Sequence, residues 1–198
     1  MLSLPRRSAA GAALAALLLA VGGAVVPTAA SAAPADPGFG ATIDRYAPYQ
    51  GQTQCLAEEQ PGVVRFRTLV RSTYSGVNLG GILRGCDVGG KSEHKEGRAW
   101  DWMARADQPA QAAQVTDLLS WLLATDEHGN PHAMARRLGV MYVIWDGRWW
   151  ASWEPAKGWQ AYTGSNPHTD HVHFSFSWDG ALERTSWWNG GVPSTGPV

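Results

Sequence analysis

Along this chain the spacing of apolar and polar positions changes period several times, and each change predicts an element. A helical period begins at Pro61, a residue suited to the first turn of a helix, and places Val63, Phe66, Leu69, Val70 and Tyr74 on one face. Gly76, Gly80 and Gly81 then break the chain, and Gly81-Ile82-Leu83-Arg84 is expected as a short strand leading into Cys86. Beyond the Gly89-Gly90 turn, Arg98 to Met103 alternates as a strand with Ala99, Asp101 and Met103 on one face. A second helix is predicted over about 108–125, with Asp107 as N-cap, Pro109 in the first turn, and Leu118, Leu119, Leu122 and Leu123 as its apolar face. A third runs from Pro131 to Leu138 and is closed by Gly139.

Val140 to Trp145 has the unbroken apolar character of a buried strand, and Asp146-Gly147 is a two-residue hairpin signal joining it to Arg148-Trp149-Trp150. In the last strand His171, His173, Ser175 and Ser177 alternate with Val172, Phe174 and Phe176, the pattern of a half-buried strand. This order of elements predicts an α+β domain, an antiparallel sheet with flanking helices. No internal repeat or charge run interrupts it. A chain of 198 residues suits one such domain, expected over residues 51–198. Residues 33–50, rich in Ala, Pro, Gly and Asp, are expected as a flexible, poorly packed lead-in.

Residues 1–32 have the form of a signal peptide: Arg6 and Arg7 supply the basic start, Ala9 to Val26 is an uncharged apolar run, and Ala30-Ser31-Ala32 offers a cleavage site. The rival reading, an uncleaved membrane anchor, fits the length of the run, but its Ala and Gly content and the cleavage pattern favour removal near Ala33. The arginine pair leaves the export route open. Losing Arg6 and Arg7 takes the formal charge from −1 to −3, which argues against a nucleic-acid partner. After cleavage no membrane association is expected, and the chain is expected to be a monomer. Cys55 and Cys86 fit a single disulfide in an exported protein, and neither lies in a Cys-x-x-Cys motif. Closing that loop would stabilise the fold by roughly 3–4 kcal/mol on the chain-entropy model; two free buried thiols are the alternative.

Two segments carry the candidate chemistry. Ser92-Glu93-His94-Lys95-Glu96-Gly97-Arg98-Ala99-Trp100-Asp101 and His168-Thr169-Asp170-His171-Val172-His173-Phe174 together offer His94, Asp101 and His173, the ligand set of a catalytic zinc site with one open position. Zinc lowers the pKa of a bound water to about 7, and a nearby carboxylate or histidine is then needed to move the proton. Asp170 and His171 both lie close to His173. The ordinary reading of His128, His132 and His168 is as surface or capping residues near turns, and that of Glu93 and Glu96 is as solvated turn residues. Eleven tryptophans divide between core packing and a sugar-binding face, with Trp145, Trp149, Trp150, Trp153 and Trp159 clustered in sequence. A glycan-cleaving protein would need in addition a pair of carboxylates across a cleft.

The first segment, Ser92-x-His94-x-x-Gly97-x-Ala99-x-Asp101, resembles the S-x-H-x-x-G-x-A-x-D pattern of the zinc D-Ala-D-Ala metallopeptidases. Asp170-His171-Val172-His173-Phe174 resembles the Glu/Asp-x-x-His-Phe element of the same group, which has the hedgehog/DD-peptidase fold and includes the lysostaphin-type enzymes. The wording of both segments is similar to that of exported actinobacterial members. The resemblance implies that His94, Asp101 and His173 bind Zn2+, with Asp170 as the catalytic base. The His171-Val172-His173 wording equally resembles the lysostaphin branch and would make His171 the base. The resemblance also implies an arginine ahead of the first ligand that polarises the substrate carbonyl, for which Arg84 is the best match. The expectation is a secreted or cell-wall zinc peptidase acting on peptidoglycan peptides. The alternative is a zinc-stabilised wall-binding module without turnover.

Overall fold

A computed structural model of the protein describes Met1 and residues 33–76 and 78–195. The chain divides into two compact units, Met1–Ala30 and Ser31–Val198. All the elements named here belong to the second, and the expected signal peptide with its cleavage site lies outside the described residues.

Helix α1 (Pro61–Thr73) starts on its proline and buries Val63, Phe66 and Val70, as its period requires. The Phe66 ring meets Trp100, Phe174 and Phe176 at centroid distances of 5.2–5.9 Å, which fixes the helix on the sheet. The expected strand at Gly81–Arg84 does not form. The pairing segment is instead β1 (Asn78–Leu79), antiparallel to β2 (Ala99–Met103), while Ile82 is buried and its carbonyl turns toward His94. Helix α2 (Pro109–Leu123) buries Val115, Leu118, Leu119 and Leu122. Its N-cap is Gln108 without a side-chain cap; Asp107, expected in that role, pairs with Arg105 at 2.7 Å instead. Helix α3 (Ala133–Leu138) ends on Gly139 in the left-handed conformation, as expected.

Strand β3 (Val140–Trp145) turns through Asp146 and Gly147, both at positive φ, into β4 (Arg148–Ala151), the geometry a two-residue hairpin demands. After β5 (Gln160–Ala161) comes β6 (Val172–Phe176), followed by the short helix α4 (Trp178–Ala181). The sheet order is β1-β2-β6-β3-β4-β5, with every neighbouring pair antiparallel. The fold is therefore α+β.

Strand β6 is the centre of this order, and all five of its residues are buried, so it is covered on both faces rather than one. Phe174 and Phe176 join the core with Phe66, Trp100, Trp102 and Val143. The opposite face carries His173 and Ser175, which pair with Asp101 and Ala99 on β2 and with Ile144 and Tyr142 on β3.

The segment expected to be a poorly packed lead-in forms no helix or strand, yet it is tied down. Asp44 is 3% exposed and accepts hydrogen bonds from the backbone N–H groups of Ser186 and Ser194. Buried Arg137 donates to the carbonyls of Thr42 (3.0 Å) and Gly40 (2.8 Å). Polar groups hold this segment, and such contacts leave no hydrophobic period in a sequence.

Candidate metal centre

The centre is assembled from a turn and two neighbouring strands. Residues Glu93–Glu96 form a single 3-10 turn, closed by Gly97 at φ 68°, whose N–H bonds back to the carbonyls of Glu93 and His94. A side chain is excluded at Gly97 on two counts: the left-handed backbone, and a Cβ that would lie 2.0 Å from the carbonyl oxygen of Glu58. The glycine lets the chain fold sharply from His94 into β2. There the register puts Asp101 directly opposite His173 on β6, so the two side chains share a face.

His94 Nδ1 lies 2.9 Å from the carbonyl of Ile82. A carbonyl only accepts, so Nδ1 carries the hydrogen and Nε2 presents its lone pair. That Nε2 is 3.1 Å from Asp101 Oδ1 and 3.2 Å from His173 Nδ1, and His173 Nδ1 is 3.0 Å from the same Asp101 oxygen. His173 Nε2 is buried without a hydrogen-bond partner among the described residues. With neutral imidazoles the His94 Nε2 lone pair and an Asp101 carboxylate oxygen face each other with no proton between them, whichever nitrogen of His173 carries its hydrogen. A cation resolves the conflict at the converging atoms. The three residues can hold a metal ion, their ligand atoms all lying within 4.8 Å of one another.

Burial works to raise the Asp101 carboxyl, but hydrogen bonds and charge from His173 and His94 outweigh it and hold the group well below the usual range. Burial pushes His173 below the ordinary histidine value.

Around this trio the other candidates separate. His171 Nε2 is 3.8 Å from Asp101 Oδ1, and its Nδ1 is 2.7 Å from Asp170 Oδ1. The Asp170 side chain is 58% exposed, so it stands behind the His171 ring rather than at the centre itself. Its bond to His171 holds the Asp170 carboxyl below the ordinary value. Arg84 donates its backbone N–H to the His94 carbonyl, but its exposed guanidinium reaches Ser92 Oγ (3.4 Å) rather than the three ligands.

Several residues read as ordinary are part of the structure around the site. His168 is not a surface residue: it is 8% exposed, with its ring 4.7 Å from that of His171 and 5.9 Å from that of His173. Burial, then repulsion from His173, lowers its pKa to about 4. His128 and His132 are nearer the expectation, and they hold the N-terminal segment through the Phe39 carbonyl and the Tyr46 hydroxyl, each at 3.0 Å.

Glu93 and Glu96 are not solvated. Glu93 accepts from the Tyr142 hydroxyl at 2.5 Å, and the Tyr142 ring stacks on His173 at 5.4 Å. Glu96 is fully buried and pairs with the equally buried Arg98 at 2.7 Å. Its other oxygen takes the N–H groups of Thr53 (2.8 Å) and Gln54 (3.1 Å). The one-residue spacing of opposite charges, Glu96 and Arg98, was the signal for this, and the polar wording around it conceals the burial.

The Cys55–Cys86 disulfide is formed, with a Cα–Cα distance of 5.9 Å. It braces the same turn, because Lys95 Nζ donates to the Cys86 and Gly89 carbonyls and the Lys95 carbonyl accepts from Leu56. Residues 55–173 match the family described as VldE, C-terminal domain. The chain belongs to the VldE C-terminal domain family. The matched span opens on the first cysteine of the disulfide and closes on His173, so it encloses the whole triad. No curated protein and no solved structure matches the chain. Among the described residues no helix is long and apolar enough to cross a membrane.

Proposed function

We propose that the protein is an exported zinc metallopeptidase that hydrolyses an amide bond in peptidoglycan peptides. One observation carries this reading. His94 Nε2, His173 Nδ1 and Asp101 Oδ1 converge at 3.0–3.2 Å from one another, on residues spaced as in the zinc D-Ala-D-Ala metallopeptidases. A tetrahedral zinc with bonds of about 2.0–2.1 Å keeps its ligands roughly 3.3 Å apart, so the trio needs little adjustment to accept one. Two imidazoles and a carboxylate, without sulfur, suit that metal. When bound, zinc supplies polarisation of the scissile carbonyl and a nucleophile at neutral pH. The disulfide supports export, and the apolar leader pattern of residues 1–32 adds to it.

His171 is the proposed proton carrier, in place of Asp170. Asp170 accepts from His171 Nδ1, which fixes the tautomer, leaves Nε2 free to take a proton beside the centre, and stabilises the imidazolium that results. Glu93 and Tyr142 brace the His94 turn against the His173 ring. Arg84 has no part in this scheme, since its side chain points to Ser92.

The test uses the zinc-loaded secreted protein on purified cell-wall sacculi, with mass spectrometry of the released peptides. His171→Ala should lose about 10²- to 10⁴-fold in rate with zinc retained, the usual range for a general acid–base group. Asp170→Asn should lose less. His94→Ala should lose the metal itself, and full zinc occupancy in that variant overturns the ligand set. Zinc binding without any released peptide overturns the peptidase and leaves a wall-binding module.

A further inference from the structure

The face of the sheet that carries His173 continues past the metal centre into a cleft of about 430 Å³, within the size range of ligand sites. Ile144, directly opposite His173 on β3, forms part of its floor. Tyr142 lines the cleft and stacks on His173, while Tyr162 lines it and meets the His168 ring at 5.2 Å. The far wall is Trp149 and Trp153, 5.8 Å apart, with Tyr49 packed against Trp153 at 5.0 Å. Among the described residues, none that lines it is charged. Tyr49, Tyr162 and Thr163 instead add hydroxyl groups to the flat rings, the Tyr142 hydroxyl being held by Glu93.

That combination is selective. An uncharged wall offers nothing to the carboxylates and ammonium groups of a peptide, whereas a pyranose ring presents an apolar C–H face to an aromatic plane and neutral hydroxyl and amide groups to phenols. We propose that the cleft binds a neutral N-acetylated amino sugar, so that the preferred substrate is a peptide still joined to its glycan. The inference rests on the peptidase reading for the peptide half of the substrate, and the sugar site stands on the cleft alone. Tyr49 comes from the N-terminal segment, outside the family-matched residues 55–173.

Isothermal titration of the metal-free and zinc-loaded protein with a linear N-acetylglucosamine tetramer tests the site without any turnover. Saturable binding is expected in both forms, weakened about tenfold in Trp153→Ala and measurably in Tyr49→Ala. Tyr49 is 61% exposed, so its removal tests the site in a protein that still folds. No saturable binding overturns the proposal, as does equal affinity in wild type and both variants. Equally strong displacement of the tetramer by a neutral apolar tripeptide also overturns it. Paired assays on sugar-linked and sugar-free stem peptides should give a higher kcat/KM for the linked form, a preference that Trp153→Ala removes. Sugar binding without hydrolysis refutes the peptidase and leaves the sugar site; hydrolysis with no sugar binding and no preference does the reverse.

Discussion

Replacing Glu96 with alanine should be among the most damaging single changes this fold can receive. Glu96 and Arg98 are both fully buried, joined at 2.7 Å. Arg98 also donates to the Phe176 carbonyl (2.8 Å) and to that of Gln50, and its guanidinium lies over the Trp178 ring at 5.2 Å. Glu96→Ala removes the countercharge and leaves the N–H groups of Thr53 and Gln54 without their acceptor. Stranding one partner of a buried pair costs about 3–5 kcal/mol, far above the fraction of a kcal/mol typical of an exposed pair. For a domain of this size that is a fall in Tm of roughly 6–20 °C. Denaturant unfolding followed by circular dichroism, with the disulfide intact, measures the loss directly. The double variant Glu96→Ala with Arg98→Met should recover part of it, because the stranded charge is gone. A Glu96→Ala protein within 1 kcal/mol of wild type would refute the reasoning, as would a double variant no more stable than the single one.

Other changes probe the same architecture. Gly97→Ala should cost at least about 2–3 kcal/mol, since it combines left-handed backbone strain with a clash against the Glu58 carbonyl, and the denaturant midpoint reads it. Changing both Cys55 and Cys86 to serine opens a loop of sequence separation 31 and should cost about 4 kcal/mol; alkylation of the unreduced wild type should modify neither thiol. Burial and the hydrogen bond to Asp117 raise the Tyr74 phenol above its ordinary value, so this group adds stability that is full below pH ~10 and fades as pH rises beyond it. Measured stability should therefore fall above that pH more steeply in wild type than in Tyr74→Phe.

Much of the fold was legible because its helices repeat an apolar face and its strands carry apolar runs or alternation. Phe66 in α1, Phe174 in β6 and the Asp146-Gly147 hairpin all form where pattern and turn chemistry place them. The triad was legible from ligand types at fixed spacing around Gly97. What escaped was held by polar contacts across long separations. Asp44 bonds to Ser186 and Ser194, and Glu96 bonds to Thr53 and Gln54, and neither leaves a trace in local hydrophobicity. The placement of Asp170 and His171 was hidden for a different reason. Adjacent residues on an extended chain point apart, and the local approach to β6 sets His171 inward and Asp170 outward.

The seam between the two arms of the chain and the family-matched span bears on any attempt to transplant the domain. Arg98 and Arg137 both lie inside residues 55–173, but the groups that neutralise or satisfy them lie partly outside, at Gln50, Thr42, Gly40, Phe176 and Ser186. Cutting at the recognised borders would leave two buried guanidinium groups with most of their acceptors missing. The portable unit is longer than the recognisable one, and a graft or fusion must carry residues from about Gly40 through Ser194 as a single piece.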